Sequence, residues 1–191
     1  MILDEQKINE QIKIRKEIRE FADKNENFGF DYDFNFFLKV CHCYINPQSY
    51  GTRIQNRLIL EYCWEKTQTK LDKGDVKLKN NKFGELKASY KSVDGKFNFV
   101  QIRPYQNCDF YLFLAINPDE NYKEYYFIVL KKDIDTFLKT VKATNCHGVN
   151  ENKLDKTKNE LRFSVKVNSK CWEYLIDNFL VDNPKEFVEN N

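Results

Sequence analysis

The sequence predicts a single α/β domain, and three observations predict it. Segments with apolar residues at helical spacing alternate with segments that alternate apolar and polar residues or run apolar throughout. No internal repeat, low-complexity stretch or linker separates them, and the chain has only 6 Gly and 4 Pro. Its 191 residues suffice for one substantial core, which 16 Phe and 11 Tyr make rich in rings.

Residues 4–23 place Ile8, Ile12, Ile18, Phe21 and Ala22 near helical spacing among Glu, Lys and Arg, an amphipathic helix. It opens a helical segment that extends to about residue 45. The stretch from Phe28 alternates briefly, but Asp31 or Asp33 is placed to cap a second helix reaching about Tyr44. Residues 46–51, Asn-Pro-Gln-Ser-Tyr-Gly, read as a loop. Residues 52–66 read as a helix with Ile54, Leu58 and Tyr62 inward. Two alternating stretches begin at Asp75 and Glu85, and the Lys-Asn-Asn-Lys sequence at 79–82 joins them as a hairpin. Asp94-Gly95 marks the next turn, and residues 97–105 read as a short helix or irregular segment stopped near Pro104. Residues 108–116 and 125–130 are apolar enough for buried strands. A helix at 133–141, a loop at 146–148, a strand at 160–167 and an amphipathic helix at 171–180 complete the pattern.

Composition removes several classes of function. No apolar run approaches the roughly 18 residues needed to span a bilayer, and the N-terminus lacks a charged-then-apolar signal pattern. The expectation is a cytoplasmic protein without a membrane partner. In that setting the six cysteines are reduced rather than paired in disulfides. Cys41-His42-Cys43 lacks the paired CxxC spacing of structural zinc sites, and neighbouring side chains point apart. Neither His lies in a Cys-His or Ser-His arrangement suited to nucleophilic catalysis. There is no GxxxxGK or GxGxxG loop, so no nucleotide cofactor is expected. Net charge is only +2, but residues 66–103 hold ten Lys/Arg against four acids. Such a local excess suits phosphate neutralisation, and equally a solvated lysine-rich hairpin.

The chemistry concentrates in Gly74-Asp75-Val76-Lys77 and Gly84-Glu85-Leu86-Lys87. On a strand Glu85 and Lys87 share a face, while Leu86 and Ala88 face the other way. A two-residue turn at Asn80-Asn81 would put Asp75 on the wrong side of the sheet. An odd connection or a bulge, such as a loop of residues 80–82 setting Asp75 opposite Lys87, brings it to the face of Glu85. Two carboxylates brought that close call for a cation, and hard oxygen ligands select Mg²⁺ or Mn²⁺. Lys87 would then orient or deprotonate a water, or stabilise charge on a phosphate.

An Asp followed about ten residues later by Glu-x-Lys resembles the signature of the PD-(D/E)xK nucleases, and the surroundings resemble the type II restriction endonucleases among them. Two flanking stretches resemble segments of those enzymes: residues 49–55 with Glu61 before the hairpin, and residues 98–105 after it. The resemblance covers roughly residues 45–140. Gly74 departs from it, standing where the family has proline. The resemblance implies a restriction endonuclease-like core with a central mixed β-sheet flanked by helices. It further implies Mg²⁺-dependent hydrolysis of phosphodiester bonds at a short specific site in double-stranded DNA. Asp75, Glu85, Lys87 and Gln101 would be catalytic, and Asp75 and Glu85, joined by Glu61 directly or through water, would bind metal. Gln101 and Arg103 would bind the scissile phosphate or position the lysine. Arg103, Lys77, Lys91, His147 and Gln55 are the candidate DNA contacts. Each has a plainer alternative, a solvated helix or loop residue, and for His147 in its Asn-rich loop that alternative is the stronger. Palindromic sites favour two-fold symmetric proteins, so a homodimer is expected, with the N-terminal helix contributing. Two other classes compete: a repair or junction nuclease of the same fold, and a non-catalytic nucleic-acid-binding module.

Overall fold

The computed structural model describes residues 4–25, 28–67, 73–146 and 160–190. The chain forms two compact units, residues 1–57 and 58–191. The division falls within a helix rather than near residue 45, where the helical segment was expected to end.

The first unit is helical. α1 (Glu5–Lys24) is capped by Asp4, whose carboxylate accepts from the Gln6 N–H at 3.0 Å. α2 (Phe34–Tyr44) is capped by Asp33, which accepts from Phe36 N–H at 3.0 Å. α3 (Pro47–Glu61) starts where a loop was expected. Proline lacks only an N–H that the first turn would leave unbonded, so Asn46-Pro47 opens a helix here instead of a turn. The interior of this unit holds Ala22, Phe37, Leu38, Cys41 and Ile54. Arg53 donates to the Ala22 carbonyl at 2.7 Å and Arg57 to that of Tyr32 at 3.0 Å, tying α3 to the preceding chain. On α1, Ile8 and Ile12 stay exposed.

The second unit is α/β with a mixed sheet. Cys63 takes a left-handed conformation that ends α3 at Glu61, so the expected helix to residue 66 gives way to a strand. That strand is β1 (Glu65–Lys66). There follow β2 (Val76–Lys77), β3 (Phe83–Tyr90), β4 (Lys96–Ile102), β5 (Phe110–Asn117) and β6 (Lys123–Leu130). α4 (Ile134–Thr140), β7 (Thr144–Asn145), β8 (Leu161–Lys166), α5 (Lys170–Phe179), β9 (Leu180–Val181) and α6 (Pro184–Asn190) complete it. The larger sheet runs β1-β2-β3-β5-β6-β9, and only β3 and β5 are parallel. β5 is buried along its whole length, which explains its unbroken apolar run.

A second sheet, β4-β8-β7, includes the stretch expected to be helical or irregular. Phe97, Phe99 and Ile102 are buried there, and a bulge between Phe99 and Ile102 spoils the period-two pattern that would have identified the strand. These rings meet the larger sheet directly. Phe99 packs on Phe113 with centroids 5.3 Å apart, and Phe113 stacks on Phe137 of α4 at 5.5 Å. Trp172 of α5 stacks on Phe97 at 5.3 Å. Among the described residues, no helix is long and apolar enough to cross a membrane.

Candidate active site

The site begins with a turn. Leu78 N–H donates to Lys82 O at 2.8 Å, and Asn81 N–H donates to Leu78 O at 3.0 Å. Lys79, Asn80 and Asn81 therefore form a three-residue connection, closed by Asn81 at φ 63°. Asparagine tolerates that left-handed conformation, as this hairpin type requires. The connection is odd, as the shared face demands. Val76 pairs with Gly84, so the next position sets Asp75 opposite Glu85, two residues nearer the turn than the expected partner Lys87. The Asp75 N–H donates to Gly84 O at 2.7 Å, and its carboxylate accepts from the Leu86 N–H at 2.9 Å.

Gly74 explains its own departure from proline. Its φ is +83°, and a Cβ there would lie 2.6 Å from the Gly84 carbonyl oxygen. Proline is locked near −65° and cannot occupy this backbone.

Glu85 is 1% exposed, and Lys87 Nζ lies 2.5 Å from its Oε1. Its Oε2 is buried without a hydrogen-bond partner among the described residues. Burial pushes the Glu85 carboxyl up to about 6; the Lys87 charge opposes the rise and the Asp75 charge adds to it. Two acids on one face, one with an orphaned oxygen, suit a hard divalent cation. Asp75 and Glu85 are the donors available. Among the described residues, no group of three or more His, Cys, Asp or Glu side chains is placed to hold a metal.

Glu61 therefore does not join them. Its charge acts on Glu124, Tyr62 and Tyr126. Register puts Glu124 and Tyr126 on the face of Leu86 and Ala88, opposite to Glu85. The expectation failed because α3 ends at Glu61 and delivers its last turn to the other side of the sheet.

Arg103 is the member of its segment whose charge reaches Glu85. Glu160 holds it, accepting from Nε at 2.9 Å and Nη2 at 2.7 Å, and this bonding raises the Arg103 pKa. The Arg103 carbonyl accepts from Tyr111 Oη at 2.9 Å, and Tyr111 lies opposite Glu85 in register. Gln101 sits on the bulge at φ 55°, exposed, with its N–H donating to Cys146 Sγ at 3.3 Å. Lys77 pairs with Glu65 at 3.4 Å on the neighbouring strand. Lys91 pairs with Asp119 beyond the far end of β3, six residues or about 20 Å along the strand from Glu85. Gln55 is half-buried on α3 in the first unit. His147 lies outside the described residues.

Tyr111 and Glu160 escaped sequence reasoning. Tyr111 hides within an apolar strand, and Glu160 meets Arg103 across 57 residues. Only the pairing of the strands reveals them.

No protein-family model and no curated protein sequence matches the chain. Among solved structures, FMN-bound TdsC from Paenibacillus sp. A11-2 aligns at TM-score 0.21 and 11% identity. That alignment covers 94% of this chain, which spans 42% of TdsC.

Proposed function

We propose that the chain is a Mg²⁺-dependent endonuclease with a restriction endonuclease-like core, of the type II restriction class. It would cut double-stranded DNA at a short specific site and act in the cytoplasm. The observation that carries this is the shared face: the three-residue turn sets Asp75 opposite Glu85, and Lys87 contacts Glu85 from the same side.

Asp75 and Glu85 would hold the Mg²⁺, for which Mn²⁺ can substitute. When bound, the ion supplies acidification of a water and compensation of charge on a phosphate oxygen. The remaining tasks fall to the chain. Lys87, fixed by its ion pair with Glu85, presents an ammonium to the scissile phosphate and stabilises the negative charge that develops there. Arg103, braced by Glu160, supplies a guanidinium beside the same face, suited to a phosphate oxygen. The burial of Glu85 limits water around the pair and strengthens each of these interactions.

The test is cleavage of unmethylated phage DNA. Discrete fragments are expected with Mg²⁺, absent with EDTA and reduced by at least a hundredfold in Lys87→Ala, the scale of losing one charge stabiliser. Absence of cleavage across varied salt, metal and DNA would refute the assignment.

A further inference from the structure

Away from the carboxylate pair, the end of α4, β7, β8 and the start of α5 bound a cleft of about 840 Å³. Val141 and Phe163 are its buried floor, joined by half-buried Cys171 and Tyr174. Lys142, Arg162 and Lys170 stand exposed around it, interspersed with Thr144 and Ser164. Among the described residues, no Asp or Glu lines it.

Among the described residues, none of these three cations forms an ion pair. Elsewhere among the described residues of the unit, Lys77, Lys87, Lys91, Lys96, Arg103 and Lys123 are each matched with a carboxylate, while Lys132, Lys139 and Lys166 are not; what sets the three apart is that they surround one concavity. Uncompensated like charges around a concave, low-dielectric wall repel one another and focus a positive field, which an anion would relieve.

Position suggests which anion. Thr144 pairs with Arg162, and Cys146 N–H donates to Glu160 O at 2.9 Å, continuing that ladder. Glu160 immediately precedes β8 and stands two residues before Arg162, so the continued ladder puts the two about 7 Å apart. Glu160 holds Arg103. Arg103, in its ion pair with Glu160, thus lies about one strand repeat from Arg162, which shares the cleft rim with Lys142 and Lys170. A chain of phosphates seated in the cleft can extend to the neighbouring Arg103 of the candidate site, which one compact anion cannot.

We propose that this cleft binds the phosphate backbone of a nucleic-acid strand through Lys142, Arg162 and Lys170. These contacts fix the strand on the protein and read no bases. They need no metal, and they hold whether or not Asp75, Glu85 and Lys87 cleave anything.

The experiment is fluorescence anisotropy of a short labelled DNA duplex in EDTA across a salt series, so that a failure of cleavage leaves its result standing. The wild type should bind with steep salt dependence. Replacing Lys142, Arg162 and Lys170 together by Gln should lower the slope of log K against log salt by about three and weaken binding at least tenfold. Replacing Lys96, Lys123 and Lys132, which lie outside the cleft, removes the same charge and should change the slope by less than half as much. Equal losses in the two triple variants would mean that net charge alone acts, and would overturn the site. Cys171 supplies a second measurement, its alkylation by iodoacetamide followed by peptide mass spectrometry. Bound duplex should slow that reaction in the wild type and not in the cleft variant; no protection overturns the proposal. Protection by ATP or inorganic phosphate without protection by DNA would reassign the cleft to a small anion and overturn the strand. The three cations are exposed, so matched melting temperatures are expected, and a cleft variant that melts early would be replaced by the single Arg162→Gln.

Discussion

Glu85 gives the clearest test at the scale of one residue. Its carboxyl titrates near 6 when folded, above the ordinary 4.5. The folded state therefore holds the proton more tightly than the unfolded chain between those values. Its contribution is favourable below about 4.5 and is lost as pH rises to about 6, a change of about 2 kcal/mol. Urea midpoints measured at pH 4.5 and pH 7 should show this slope, and Glu85→Gln should flatten it. Mg²⁺ should flatten it as well, by compensating the ionised form. Gly74 offers a second test: Gly74→Ala adds a Cβ 2.6 Å from the Gly84 oxygen at positive φ. A loss of about 1–3 kcal/mol is expected by urea unfolding. That Glu85 and Lys87 share a face was legible from strand period alone. The burial of Glu85 was not, because it depends on β5 lying alongside, and the α3 terminus that removes Glu61 depends on one left-handed residue, Cys63.

At the scale of elements, the hairpin decides the chemistry. Deleting Asn80 leaves a two-residue connection, which reverses the parity of β2 and turns Asp75 to the other face. Cleavage and calorimetric Mg²⁺ binding should both disappear while far-ultraviolet circular dichroism stays near that of the wild type. If both survive, the pairing of Asp75 with Glu85 is not what binds metal. The need for an odd turn could be argued from the alternation of Val76 and Leu86. Which three residues make it could not, since Asn80, Asn81 and Lys82 all suit turns and only Asn81 adopts the left-handed conformation. The strand β4 was hidden for a related reason. Its bulge shifts Ile102 out of phase with Phe97 and Phe99, and a period broken in the middle reads as helix or loop.

For the whole molecule, the open question is how many copies act together. Ile8 and Ile12 are 40% and 58% exposed, one turn apart on α1. We propose that this stripe contributes to a homodimer, as cutting both strands of a symmetric site requires. Light scattering should give a dimer mass for the wild type and a monomer for Ile8→Lys combined with Ile12→Lys. A dimer unaffected by those changes would place the interface elsewhere. Alternation of helical and strand patterns made the α/β class legible, while the mixed sheet was expected only from the family resemblance. The split into two sheets was not, because nothing local in β4 or β8 records which strands they avoid.

The two halves of the candidate site also differ in when they can form. Asp75 and Glu85 meet through a hairpin of a few residues, a closure that takes microseconds in isolated chains. Arg103 reaches its brace only when β8 has paired with β4, a contact spanning 57 residues. During folding, the acids should thus be in place before the guanidinium. A refolding chain should acquire its carboxylate pair first and its braced guanidinium last, so under the proposed function competence to cleave would wait for β8 to pair with β4.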